Sequence, residues 1–125
     1  MTLTPVQQQL EELKQTYGLP KAEIVSSNIV VIPDYSLPDG WSNKTTTVRF
    51  VLPPAFPHAN PDCFYADSDL RLLGGRIPQN TQQQAIPGLS GQYLWFSWHP
   101  KGWRIGRDTL TTYLRVIRQR FEDLR

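Results

Sequence analysis

Ser97 and His99 have the residue types and the spacing for acyl chemistry. A serine hydroxyl is a weak nucleophile until a base takes its proton, and imidazole is the side chain best matched to that task near neutral pH. In an extended segment, residues two apart share a face, which would set Ser97 beside His99. A serine activated in this way can carry an acyl group as an oxyester. The pair lies inside Trp95-Phe96-Ser97-Trp98-His99-Pro100-Lys101-Gly102-Trp103, which holds three of the four tryptophans. Aromatics this dense bury large area, and each indole N–H needs a partner. The plainer role for Ser97 and His99 is therefore to satisfy buried polar groups inside an aromatic knot.

Cys63 is the weaker second nucleophile. It is flanked by Asp62 and Phe64, with no adjacent cation to lower its pKa, and reads as a buried, inert thiol. As the single cysteine it excludes an internal disulfide and fits a reducing, cytoplasmic setting. The two histidines, His58 and His99, stand far apart with no cysteine pair beside them, so no metal site is expected. There is no glycine-rich phosphate loop and no internal repeat. A formal charge of +2 argues against non-specific nucleic-acid binding. No run is apolar enough to span a membrane, and no secretory leader is expected.

The elements that must position these residues are legible in part. At 125 residues, 39% hydrophobic and 19% charged, the chain reads as one globular domain over 1–125. Thr4 as cap, Pro5 in the first turn and Gln7 completing a capping box open a helix. Val6, Leu10, Leu13 and Tyr17 lie on one of its faces, and Gly18 and Pro20 end it. Ile24–Ile32 reads as a strand, or as two broken near Ser26-Ser27-Asn28, stopped by Pro33. Asp34 to Gly40 is turn chemistry. A strand resumes from Trp41, with Val48, Phe50 and Leu52 alternating onto one face, and Pro53-Pro54 closes it. A short strand follows at Cys63–Ala66, then a weakly extended Leu70–Leu73. Gly74–Gly91 reads as a long irregular segment. Asp108 is the expected cap of a second helix with an apolar stripe of Leu110, Tyr113, Leu114, Ile117, Phe121 and Leu124. Arg115, Arg118 and Arg120 are expected on its solvated faces, and Asp67 and Asp69 in a local salt bridge with Arg71. The layout is α+β.

This order resembles the ubiquitin-conjugating enzyme (UBC-like) fold: an N-terminal helix, a four-stranded antiparallel meander, a long irregular active-site segment and a C-terminal helix. Val48-Arg49-Phe50-Val51-Leu52 followed by Phe56-Pro57-His58-Ala59-Asn60-Pro61-Asp62 looks like that fold's third strand and its proline loop. Trp103 ahead of Asp108-Thr109-Leu110 looks like its tryptophan before the following helix. The strings PPxFPxxxPDxFYxDxxLRLxxGRxPQ and SWHPKGWRIGRDTLTTYL resemble the bacterial ubiquitin-conjugating-like families, most closely prokaryotic family E.

The resemblance implies a carrier that takes a ubiquitin-like protein from an activating enzyme and delivers it to a target amine, without a cofactor of its own. The thioester cysteine of the eukaryotic enzymes lies shortly before the tryptophan. The corresponding position here is Trp95, and the HPN motif is absent. An ordinary thioester carrier is therefore not expected. The acceptor becomes Ser97 with His99 as base or orienter, with Cys63 the weaker choice, and Trp98, Trp103 and Arg104 are the expected partner contacts. The alternative is a non-catalytic binding module for the ubiquitin-like protein or its activating enzyme.

Overall fold

The computed structural model describes residues 3–125. Its elements are α1 (Pro5–Thr16), β1 (Glu23–Val25), β2 (Ile29–Ser36), β3 (Thr45–Val51), β4 (Phe64–Asp67), β5 (Thr81–Gln84), β6 (Tyr93–Phe96) and α2 (Leu110–Glu122). The α1 start follows its sequence chemistry: Gln7 N donates to Thr4 Oγ1 at 3.2 Å, and Thr4 N donates to Gln7 Oε1 at 2.9 Å. These bonds satisfy two of the backbone donors that a helix start leaves open. Thr4→Ala should lower stability by about 1 kcal/mol, read as a shifted urea midpoint at constant slope.

The sheet has six strands in the order β1-β2-β3-β4-β6-β5, with every pairing antiparallel, not the four of the expected meander. After β4 the chain passes beyond the sheet edge to form β5. It then returns as β6, which inserts between β4 and β5. The extra strand lies inside the stretch expected to be irregular. Thr81-Gln82-Gln83-Gln84 has no apolar alternation, because an edge strand held by its ladder to β6 needs none; polar residues also suit an exposed edge. Pro33 does not end β2. A register shift between Ile32 and Tyr35, with Asp34 at φ +56°, absorbs it as a bulge, and pairing resumes at Tyr35. Nor does β3 begin at Trp41, which makes only an isolated bridge to Leu72.

One sheet face carries Val30, Ile32, Val48, Phe50, Phe64, Ala66, Leu94 and Phe96 against Leu13 of α1 and Leu110, Tyr113, Leu114, Ile117 and Phe121 of α2. Trp41 is the buried tryptophan of this core, 5% exposed, with its indole N–H donated to Phe121 O at 2.8 Å. Phe121 meets the rings of Tyr35, Trp41, Phe64 and Phe96 at centroid distances of 5.4–5.7 Å. The opposite face is covered by the β5–β6 connection, which folds back to bury Ile86 against Ile29 and Tyr65, with Cys63 and Trp95 packed alongside. The knot therefore divides: Trp95 packs on this second face, while Trp98 and Trp103 pack on the main core.

Three expectations about charged groups are corrected. Arg120 is not solvated but 1% exposed. Its guanidinium donates to Asp123 O, Arg125 O and Gln79 O at 2.8–2.9 Å and lies over the Phe96 and Trp98 rings. Asp108 is not the cap of α2. Thr109 occupies that position, while buried Asp108 accepts the Arg104 N–H in the preceding loop. Asp67 pairs with Arg49 across the sheet at 3.2 Å, and Arg71 instead donates to Ser68 O and Leu70 O. No helix among the described residues is long and apolar enough to cross a membrane.

Candidate functional site

The candidate residues gather where two loops meet beyond the end of the β4–β6 ladder. The first is the proline loop between β3 and β4. The second runs from Ser97 to α2. Trp103 joins them: its indole N–H donates to Pro57 O at 2.9 Å, and its ring packs against Phe56 at 6.2 Å. The α2 start is fixed by α1, since Gln9 Oε1 accepts the Leu110 N–H at 2.9 Å, so the second loop is held at both ends.

Ser97 is anchored by its backbone N–H to Asn80 O at 2.9 Å, at the start of β5. The Trp98 N–H turns back to Phe96 O at 3.0 Å, closing a tight turn centred on Ser97. Trp98 O in turn accepts the Tyr113 hydroxyl at 3.3 Å, and the Trp98 ring is flanked by Arg120 and Arg125. Burial pushes the Tyr113 phenol far above its ordinary range, so it stays a hydroxyl donor. Ser97 thus sits on a braced turn rather than on a loose loop.

That turn ends the strand alternation expected to set Ser97 beside His99. The His99 ring goes to the proline loop, where Nδ1 is 3.6 Å from Asp62 Oδ1, with both side chains exposed. No hydrogen bond joins the Ser97 and His99 side chains among the described residues. The last pair of the β4–β6 ladder is Phe64↔Phe96, so Cys63 immediately precedes β4 and Ser97 immediately follows β6 at the same end of the sheet. Cys63, Ser97, His99 and Asp62 therefore share one end of the sheet. Neither the 480 Å³ cleft beside Tyr35 and α2 nor the 820 Å³ cleft beside α1 and Pro53 is lined by any of the four. Asp62 and His99 are exposed, and Ser97 and Cys63 are half-buried.

Burial pushes the Cys63 thiol above its ordinary pKa, the Asp62 carboxylate acts in the same direction, and the Trp95 and Tyr65 side chains offset part of it. Burial, with Cys63 adding to it, pushes the Tyr65 phenol up to about 12. A raised thiol pKa means less thiolate at neutral pH, and the thiolate is the reacting form. Cys63 should therefore alkylate with iodoacetamide more slowly than a free thiol at neutral pH. Its rate should rise with pH through a midpoint above that of the free thiol; a midpoint below it would contradict this reading. Among the described residues no group of three or more His, Cys, Asp and Glu is arranged to hold a metal ion.

Of the expected partner contacts, Trp98 and Trp103 are half-buried, and the Arg104 side chain is 62% exposed with Asp108 at 3.8 Å. Sequence reasoning missed Asp62 as the neighbour of His99 and Arg120 as the brace beneath Trp98.

The frame is an α+β domain of two helices on one antiparallel sheet, with the candidate nucleophiles at one end of that sheet. The sequence model of prokaryotic E2 family E matches residues 6–123, and the chain belongs to that family. Membership sets it among the ubiquitin-conjugating-like proteins. No curated protein and no solved structure matches the chain significantly.

Proposed function

We propose that this protein receives a ubiquitin-like protein from a cognate activating enzyme, carries it as an oxyester on Ser97, and passes it to a target amine. In the loading step Ser97 Oγ attacks the carbonyl of the thioester on the activating enzyme. His99 takes the hydroxyl proton, the C–S bond breaks, and the proton passes to the departing thiolate. In the unloading step the amine nitrogen attacks the oxyester carbonyl, the C–O bond breaks, and the serine regains its proton. The protein needs no cofactor for either step, because the activating enzyme has already spent the ATP. Trp98, Trp103 and Arg104, beside the acceptor, would contact the incoming protein, with Arg104 offering charge at the rim. A cytoplasmic setting suits the free cysteine.

The observation that supports this reading best is the placement of Ser97, Cys63 and His99 at one end of the sheet in a member of an E2 family. The lack of a hydrogen bond between Ser97 and His99 favours a second reading, a binding module with no acceptor. Intact mass after incubation with the activating enzyme, its ubiquitin-like protein and ATP separates the two. An adduct on this chain supports the carrier. No adduct while the activating enzyme itself is charged supports the module.

A further inference from the structure

We propose that Asp62 is a positioning residue that holds the His99 imidazole in its Nδ1–H tautomer, leaving Nε2 free as the base; its role in transfer rests on the carrier reading above. Asp62 Oδ1 faces His99 Nδ1 at 3.6 Å. An ionised carboxylate only accepts hydrogen bonds, so a bond closing between the two requires the proton on Nδ1. The opposite nitrogen is then an acceptor, as a base must be.

Both partners are presented by restrained backbone. Asp62 follows buried Pro61 and leads directly into β4. His99 lies between Pro100 and Trp98, whose carbonyl is held by Tyr113 and whose ring is held by Arg120. At 3.6 Å the contact is longer than a hydrogen bond. Acid–base contacts are commonly long in a resting site and tighten when substrate is bound. The two side chains are 61% and 85% exposed, so the pair contributes little to folding. Removal of the carboxylate therefore tests orientation without testing stability.

The experiment has two readouts. The first is the tautomer of neutral His99 by ¹⁵N-edited NMR of the free protein, above the imidazole titration range, with His58 as internal reference. Wild type should show mainly Nδ1–H, Asp62→Ala should revert toward Nε2–H, and Asp62→Glu should keep the wild-type form. An unchanged tautomer in Asp62→Ala overturns the proposal, whatever the fate of the carrier reading. The second readout is the rate of adduct formation, expected to fall about tenfold in Asp62→Ala and to recover in Asp62→Glu. A shifted tautomer with an unchanged rate overturns the positioning role. If wild type forms no adduct, the carrier reading fails separately, and the tautomer alone decides whether Asp62 holds His99.

Discussion

Arg120→Met should lower the stability of this domain by about 3 kcal/mol, a large share of what a domain of this size possesses. The guanidinium supplies donors to three backbone carbonyls, Asp123 O, Arg125 O and Gln79 O, and covers the Phe96 and Trp98 rings. A methionine of similar length keeps part of the apolar stem but leaves those carbonyls without their charged donor. Arg120→Lys should recover little, because one ammonium cannot reproduce a planar fork aimed at separate acceptors. Burial lowers the Arg120 pKa, with the Asp123 carboxylate opposing, so this charge is held by its partners rather than by water. Because Gln79 precedes β5 and Trp98 follows Ser97, the same substitution should loosen the turn that carries the proposed acceptor. Urea unfolding checks the first effect; a midpoint unchanged from wild type would contradict it.

Ser97→Ala should reduce adduct formation to background, while Cys63→Ala should leave it intact. Cys63 immediately precedes β4 and Ser97 immediately follows β6 at the same end of the sheet, so both are candidates for one incoming partner. Their chemistry separates them. The raised thiol pKa keeps Cys63 mostly protonated, whereas Ser97 needs only a transient base. His99→Ala should then slow loading by about a hundredfold or more, the usual worth of a general base. Loss of the adduct in Cys63→Ala, with Ser97→Ala unaffected, would move the acceptor to the thiol.

What could be read from the sequence was what local chemistry specifies. Thr4, Pro5 and Gln7 define the start of α1 with few alternatives, and Val48, Phe50 and Leu52 specify both a strand and its buried face. β5 was hidden because its pairing with β6 is the sole reason it is a strand, and nothing in Thr-Gln-Gln-Gln announces a partner. The passage of β2 through Pro33 was hidden for a related reason, since a bulge is decided by the neighbouring strand. Arg120 is different. It follows Ile117 by three residues and Tyr113 by seven, which puts it on the apolar face of α2 by helical spacing alone. Its charge argues for solvent and its position for the core, and position decides. The contact between His99 and Asp62 had no sequence signal, because it depends on a turn at Ser97 and on the docking of two loops by Trp103. Strand spacing pairs Ser97 with His99 only where the strand continues, and it ends at that turn.

The most direct test of the oxyester claim is to locate the adduct by tandem mass spectrometry after trypsin digestion. Cleavage after Arg49, Arg71, Arg76 and Lys101 puts Cys63 in the peptide 50–71 and Ser97 in the peptide 77–101. The remnant of the ubiquitin-like C-terminus should be found on Ser97 in the second peptide, stable to thiol reductant and released by mild base. A remnant on Cys63 in the first peptide, released by thiol, would contradict the account.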